Sequence, residues 1–268
     1  MAVLHVVLDS CVMFPMYLRD TLICTAEAGL YQPYWSQEIL DGATRNLVSQ
    51  GTMAAEQAMN LETIIKGAFA EAMVEVPEGL AKVMTNHSGD RHVLAAAVTA
   101  KADIIVTSNL KHFQAKDLAP WNIKAQSPDD FLTHLYALYP DTMVEVVRRQ
   151  SQALKKPPMA VTELLDLLSK RDLPKFASNV LFYEYSLGIV QITKKALTKF
   201  GRKALEGGRC FDGKRYRLWQ KQGILTITAM DDRGEILRVQ NGEIEGNLSF
   251  EDIEAFQIFD RSLEQELA

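Results

Sequence analysis

The feature that most constrains the fold is an apolar, largely β-branched run at residues 3–8, which ends in Asp9. A nearly continuous apolar run of this length is typical of a strand buried on both faces of a parallel sheet. Similar short runs at residues 103–107 and 123–126 predict two more strands. Long segments lie between the runs, so the strands need crossover connections. The sequence therefore predicts a mostly parallel sheet with helices on both faces.

The intervening segments carry apolar residues at helical spacing. They predict helices at residues 16–28, 37–49, 54–72, 80–84 and 90–102. Ser36 is a candidate N-cap for the second of these helices. Short strands are also expected within residues 29–35 and at residues 73–76. Ligands of open α/β sheets bind outside the carboxyl ends of the strands, which directs attention to Asp9 and to residues 107–109.

The second half of the chain has a different pattern. Helices are predicted at residues 129–139, 140–154, 162–171 and 174–182, and a basic helix at 193–205. Turn residues then separate three predicted strands, at 214–220, 224–230 and 235–240, before an acidic helix at 251–266. A chain of 268 residues exceeds a typical single domain of about 150 residues. We expect a first domain over residues 1–132, a helical extension over 133–182 and a small α+β C-terminal region over 183–268.

Composition narrows the class of protein. Hydrophobic residues make up 47% and charged residues 24%, as in ordinary globular proteins. The net charge of −5 excludes a surface that is basic all over, so any nucleic-acid contact must be local. Three cysteines without metal-like spacing favour a reducing compartment. The apolar amino terminus lacks the features of a secretory signal, and no apolar stretch reaches the length of a membrane span. These features predict a soluble cytoplasmic protein without a membrane partner.

Four carboxylates stand at the edges of apolar segments: Asp9, Glu38, Asp41 and Asp90. Mg²⁺ and Mn²⁺ prefer oxygen ligands of this kind, and such ions activate water and neutralise charge on a phosphodiester. Each acid also has a structural explanation. Asp90 can cap the helix it precedes, and Glu38 and Asp41 can be solvated helix residues. Asp9 is different, because a carboxylate at the end of an interior strand needs a partner or a metal.

Four segments, in this order, carry a resemblance to a known family: residues 6–12 (VVLDSCV), 35–40 (WSQEIL), 90–97 (DRHVLAAA) and 105–113 (IVTSNLKHF). In order and spacing they resemble the signature blocks of PIN domains over residues 3–132, and in particular those of the VapC-type toxins of bacterial toxin–antitoxin pairs. The helices over residues 159–182 are similar to the extensions of longer VapC-type toxins. The resemblance implies a three-layer α/β/α fold and an acidic pocket for one or two Mg²⁺ or Mn²⁺ ions.

The resemblance also implies roles for individual residues. Asp9 matches the first metal-ligating acid of the family and Asp90 the third. The second acidic position falls on Gly42, so Glu38 and Asp41 are the metal-ligand candidates nearest to it. The fourth acidic position falls on Asn109, whose carbonyl accepts a hydrogen bond but adds no charge. The implied catalytic set is Asp9, Asp41, Asp90 and Asn109, and the implied metal ligands are Asp9, Asp90, Glu38 and Asp41.

Other polar residues flank these acids. Ser10 and Thr107 are expected to hydrogen-bond metal-bound waters. Basic residues are expected to meet the phosphate backbone of RNA; they are Arg91, His92, Lys111 and His112. For His92, an ordinary partly buried helix residue is an equally good interpretation.

Two hypotheses about function follow. The first is a metal-dependent endoribonuclease that hydrolyses RNA and acts as the toxin of a toxin–antitoxin pair. Its expected partners are a cognate antitoxin and, in a homodimer, a second copy of the chain. The second is a non-catalytic RNA-binding or regulatory PIN protein whose metal site is degraded at Gly42 and Asn109. A Rossmann-like carrier is disfavoured, because no glycine-rich phosphate loop follows the first strand.

The C-terminal region adds a basic stretch with interleaved aromatic residues. The basic residues are Lys194, Lys195, Lys199, Arg202, Lys203, Arg209, Lys214, Arg215 and Arg217, and the aromatic ones Phe200, Phe211, Tyr216 and Trp219. Such a surface can bind RNA. A solvated helix face beside a small sheet explains the same residues.

Overall fold

The computed structural model describes residues 3–155, 157–204 and 207–265. The chain forms two compact units. The first comprises Met1–Val161 and Lys170–Phe176, and the second comprises Thr162–Ser169 and Ala177–Ala268. The domain boundaries expected at residues 132 and 182 stay predictions. No helix in the described part of the chain is long and apolar enough to cross a membrane.

The first unit is built on a four-stranded parallel sheet in the order β2-β1-β3-β4. Its strands are β1 (His5–Leu8), β2 (Gln32–Tyr34), β3 (Ile104–Val106) and β4 (Lys124–Gln126). Central β1 pairs with β2 and β3, so that Val7 lies opposite Tyr34 and Ile105. Val6, Val7 and Leu8 are fully buried, which explains the unbroken apolar run in the sequence. The predicted parallel sheet is confirmed.

Helices flank this sheet and account for most of the first unit. They are α1 (Ser10–Met13), α2 (Met16–Glu27), α3 (Gln37–Ser49), α4 (Ala55–Ala68), α5 (Leu80–Val83), α6 (Arg91–Thr99), α7 (Ala115–Leu118), α8 (Pro128–Leu138) and α9 (Pro140–Ala153). Ser36 caps α3 as predicted, since its Oγ accepts a hydrogen bond from the Ile39 backbone N–H at 3.4 Å. The flanked parallel sheet agrees with a three-layer α/β/α architecture.

Two local predictions in this unit are wrong. Residues 73–76 do not form a strand, because Met73 makes only an isolated parallel bridge to Trp35. Backbone hydrogen bonds tie the segment to Trp35 alone, through the Ala72 carbonyl and the Val74 N–H. The helix predicted to reach residue 72 ends at Ala68, because Phe69 leaves the helical region with φ −129° and ψ 65°.

The helices that follow are α10 (Val161–Arg171) and α11 (Pro174–Phe200). The predicted separate helices at 174–182 and 193–205 are in fact one continuous 27-residue helix. Gly188, which lies between the two predicted helices, is part of α11. The predicted basic helix also runs too far, because residues 202–203 start a strand; its last residue, Leu205, lies outside the described residues.

The second unit contains a six-stranded sheet in which each neighbouring pair is antiparallel. Its strands are β5 (Arg202–Lys203), β6 (Arg209–Asp212), β7 (Tyr216–Lys221), β8 (Ile224–Ala229), β9 (Glu235–Gln240) and β10 (Glu243–Gly246). The three predicted strands correspond to β7, β8 and β9. Helix α12 (Phe250–Gln265) packs aromatic rings on the sheet, with Phe256 4.9 Å from Tyr216 between ring centroids. Glu266, the predicted end of this helix, lies outside the described residues.

Candidate active site

Asp9 lies at the carboxyl end of β1 and is only 1% exposed. Its carboxylate accepts hydrogen bonds from Ser10 Oγ at 3.2 Å, Cys11 Sγ at 3.2 Å and Thr107 Oγ1 at 2.7 Å. All three of these donors are neutral. A buried carboxylate with only neutral donors keeps an uncompensated negative charge, which is costly unless a cation is near. The surroundings of Asp9 therefore fit a divalent ion.

The neighbours of Asp9 are arranged by the ends of β1 and β3. Thr107, fully buried after β3, donates to Asp9 and accepts from the Asn109 backbone N–H at 3.0 Å. In the structure the hydroxyls of Ser10 and Thr107 both donate to Asp9. The expectation that they also hydrogen-bond metal-bound waters stays a prediction. Thr107 thus links the predicted first and fourth positions of the site.

Cys11 is a site residue that the sequence analysis missed. Its Sγ accepts from the Ser108 backbone N–H at 3.3 Å and lies 3.2 Å from the Asp9 carboxylate. Burial, and then the negative charge of Asp9, raise the pKa of Cys11 to about 12. The group therefore stays a thiol and can donate to Asp9. Its position two residues after Asp9, at the same strand end, was the available signal.

Asp90 precedes α6, yet its side chain makes no cap hydrogen bond to that helix. The interpretation of Asp90 as a helix cap is therefore wrong. Its Oδ2 instead lies 2.7 Å from His112 Nδ1 and 3.5 Å from His87 Nδ1. His87 is a second missed residue, since the sequence analysis used residues 86–89 only as a turn.

Helix α3 presents its candidate residues on different sides. A Cβ built on Gly42 would lie 3.1 Å from Ser10 Cβ, so position 42 faces the Asp9 loop. Glu38, one turn earlier on the same face, has a 69% exposed side chain and approaches His92 Nδ1 at 3.9 Å. Asp41 is exposed and accepts from Gln37 Nε2 at 2.7 Å. Of the two substitute acids, Glu38 lies on the helix face that points to the site.

Within residues 3–155, 157–204 and 207–265, one group of three or more potential metal ligands brings its donor atoms within 4.8 Å of one another. It consists of His87, Asp90 and His112. The predicted acids Asp9, Glu38, Asp41 and Asp90 form no such group among these residues. Mg²⁺ keeps several waters and binds through one or two carboxylates, so direct convergence of all four acids is not required.

The remaining predicted site residues are close in sequence to Asp90 or His112. Asn109 is partly buried, and Lys111 is exposed beside His112. Arg91 directs its Nε to the Asn86 carbonyl at 3.4 Å, which leaves the phosphate role of Arg91 a prediction.

The parallel sheet, the flanking helices and the buried Asp9 agree with the fold and motif order of PIN domains. Residues 5–111 match the family model of the PIN domain, and residues 128–181 match that of the VapC50 C-terminal domain. Residues 5–111 are therefore similar to PIN domains and residues 128–181 to the VapC50 C-terminal domain, in agreement with the resemblance that the sequence motifs carry.

A particular relative also matches. The chain is 46% identical over 99 residues to a protein of Mycobacterium tuberculosis (strain ATCC 25618 / H37Rv) described as "Putative ribonuclease VapC50". The alignment covers 37% of this chain and 58% of that relative. No solved structure shows a significant match.

Proposed function

We propose that the protein is a Mg²⁺- or Mn²⁺-dependent endoribonuclease that hydrolyses RNA phosphodiester bonds. The observation that carries the proposal is the Asp9 carboxylate, which is buried at a strand end with three neutral donors. The matched PIN domain and the ribonuclease name of the relative support the same activity.

The residues of the chain have distinct tasks in this proposal. Ser10, Cys11 and Thr107 fix the orientation of the Asp9 carboxylate, and His112 fixes that of Asp90. The two acids hold the ion, with Glu38 as the additional acid. A bound Mg²⁺ or Mn²⁺ supplies an activated water and neutralises the charge that develops on the phosphodiester. Lys111, which is exposed and adjacent to His112 in the sequence, binds a phosphate of the RNA in this proposal.

By the same resemblance, we propose that the protein is the toxin of a toxin–antitoxin pair in the cytoplasm. Its partners are then an RNA substrate, a cognate antitoxin and, as a homodimer, a second copy of the chain.

The competing function is a non-catalytic one, RNA binding or regulation by a PIN fold. The presence of Gly42 and Asn109 at two acidic positions of the family favours it. Neither residue supplies the carboxylate of its family position, and a Cβ at position 42 would crowd Ser10. Titration calorimetry with Mg²⁺, an ion that requires oxygen ligands, separates the two functions. A catalytic site binds the ion, whereas a degraded one gives no heat of binding.

The decisive experiment replaces by its amide each of the two acids that match a family position directly, Asp9 and Asp90. We expect Asp9→Asn and Asp90→Asn each to lower RNA cleavage in Mn²⁺ by about 100-fold or more, equivalent to ~2.7 kcal/mol in the barrier, because each change removes a charge needed to hold the ion. Asp232→Asn, in the exposed turn between β8 and β9, is the matched control and keeps full activity. Circular dichroism checks that all variants fold. Undiminished cleavage by either site variant contradicts the proposal.

A further inference from the structure

Two imidazoles and one carboxylate meet beside α6, and the carboxylate-based proposal uses only Asp90 and its contact with His112. His87 precedes the turn that leads to Asp90, and His112 ends a short 3-10 turn after β3. The Nδ1 atoms of His112 and His87 lie 2.7 and 3.5 Å from the same oxygen, Asp90 Oδ2. Two metal–donor bonds of about 2.1 Å place their donor atoms at most about 4.2 Å apart. Both separations are inside this limit.

Backbone and side-chain hydrogen bonds hold the two segments together. The His87 N–H donates to the His112 carbonyl at 3.4 Å. Asn86, which is 3% exposed, donates from Nδ2 to the Asp90 carbonyl at 3.1 Å. The two imidazole rings stack with their centroids 4.1 Å apart and their planes 13° from parallel. The donor groups are therefore gathered by the fold itself.

The nitrogen chemistry suits a metal. His87 Nδ1 accepts from the Gly89 N–H at 3.3 Å, so this atom carries the lone pair that a metal needs. His112 Nδ1 lies 2.7 Å from Asp90 Oδ2, so an ion between these two atoms would take the place of their direct contact. The nearly parallel rings must turn about their Cβ–Cγ bonds to aim both nitrogens at one ion. The 55% exposed side chain of His87 has room to do so.

The donor set decides the class of ion. Imidazole nitrogen is a good ligand for the later first-row ions, whereas Mg²⁺ requires oxygen ligands in near-ideal octahedral geometry. Two histidines and one carboxylate also leave coordination positions open for water or a substrate oxygen.

We propose that His87, Asp90 and His112 bind a divalent transition-metal ion of the Mn²⁺, Co²⁺ and Zn²⁺ class in preference to Mg²⁺. The inference rests on the proposed function only through Asp90 and His112, which take part in both proposals. Its test measures binding and not cleavage, so that the two proposals fail separately.

The test uses Co²⁺ as a probe of the untagged full-length chain, because its visible d–d absorption reports the ligands directly. Wild-type protein is expected to show this absorption on titration, and excess Mg²⁺ leaves the spectrum in place. His87→Ala and His112→Ala each raise the Kd for Co²⁺ at least about 10-fold, since loss of even an outer hydrogen-bond partner of a metal ligand costs about 10- to 100-fold. His134→Ala, at an exposed position of α8, is the matched control and binds as wild type.

Circular dichroism in EDTA establishes that each variant is folded before titration. The inference is overturned if the wild type shows no Co²⁺ absorption. It is also overturned if the folded His87→Ala and His112→Ala variants bind Co²⁺ as tightly as the wild type does. RNA cleavage is assayed separately. If RNA is cleaved in Mg²⁺ but Co²⁺ binding does not depend on the histidines, the nuclease proposal stands and the histidine site is rejected. If Co²⁺ binding depends on the histidines but no ion supports cleavage, the histidine site stands and the nuclease proposal is rejected.

Discussion

At the scale of single residues, the environment of Asp9 combines a full set of neutral donors with burial. The three hydrogen bonds fix the direction of the buried carboxylate. Thr107 makes the shortest of the three contacts, at 2.7 Å, and is itself fully buried. The hydroxyl of Thr107 is therefore the donor whose loss should affect Asp9 most.

Thr107→Val tests this role because valine keeps the shape of threonine and removes only the hydroxyl. We expect the free energy of unfolding to fall by about 1–3 kcal/mol, the cost of leaving a buried polar group without a partner. RNA cleavage should fall as well, because Asp9 loses its orientation. Urea unfolding and a cleavage assay measure the two effects.

Thr25→Val provides the comparison for Thr107→Val. Thr25 is equally buried, but its hydroxyl donates to the Thr21 carbonyl within α2. That carbonyl belongs to a helix turn, so we expect a loss of about 1 kcal/mol or less and no change in cleavage. Equal effects of the two substitutions on cleavage would remove the special role of Thr107.

At the scale of elements, helix α3 decides which acid replaces the missing one at position 42. A step of one residue turns a side chain by about 100° around a helix. A side chain at position 42 would meet Ser10, and Glu38 lies on the same helix face, whereas Asp41 is turned toward Gln37. Gln37 in turn donates to Glu62 of α4, at 2.9 Å.

We therefore expect Glu38→Gln to weaken Mn²⁺ binding and RNA cleavage by about 10-fold, and Asp41→Asn to change them by less than about 2-fold, since only the first removes a charge near the site. Calorimetry with Mn²⁺ and a cleavage assay make the comparison. The two variants serve as controls for each other, because each removes one charge from the same helix. A larger effect of Asp41→Asn would reverse the assignment.

The elements also show what a sequence can and cannot predict. The buried runs at β1 and β3 follow from local pattern, and so does Ser36 as the cap of α3. The isolated bridge at Met73 and the continuity of α11 depend on tertiary contacts that override local signals. Hydrophobic periodicity does not determine where the side chains of loop residues point. The sequence therefore could not predict the hydrogen bond from Cys11 to Asp9 or the stacking of His87 on His112.

At the scale of the whole molecule, each unit has its own buried acid. Asp252 in the second unit is fully buried and accepts from Arg233 and from the Ser249 backbone N–H, each at 2.8 Å. The Asp252 backbone N–H donates to Ser249 Oγ at 3.2 Å, which completes a reciprocal cap of α12. Burial alone would raise the pKa of Asp252, but the hydrogen bonds from Arg233 and Ser249 lower it.

A lowered pKa in the folded state means that Asp252 stabilises the second unit above the ordinary Asp value of 3.8. This contribution is lost as the pH falls through the lower folded pKa. We expect Asp252→Asn to cost roughly 1–3 kcal/mol at neutral pH and to make stability less sensitive to acid. Hydrogen exchange of the β7–β9 amides, measured at neutral and acid pH, locates the effect in this unit.

Asp231→Asn is the matched control, because Asp231 also accepts from Arg233 but its side chain is 55% exposed. An exposed pair of this kind contributes about 1 kcal/mol or less. If both substitutions changed protection equally, burial would not be the reason for the contribution of Asp252.

The isolated bridge between Trp35 and Met73 has a consequence for self-association. Strand β2 is an outer strand of the parallel sheet, and it contains Pro33, which has no N–H to offer an incoming chain. Just beyond β2, the protein's own residues 72–74 occupy the backbone groups of Trp35. At this border the folded sheet offers fewer free backbone groups for cross-chain β-pairing, which disfavours edge-to-edge association there.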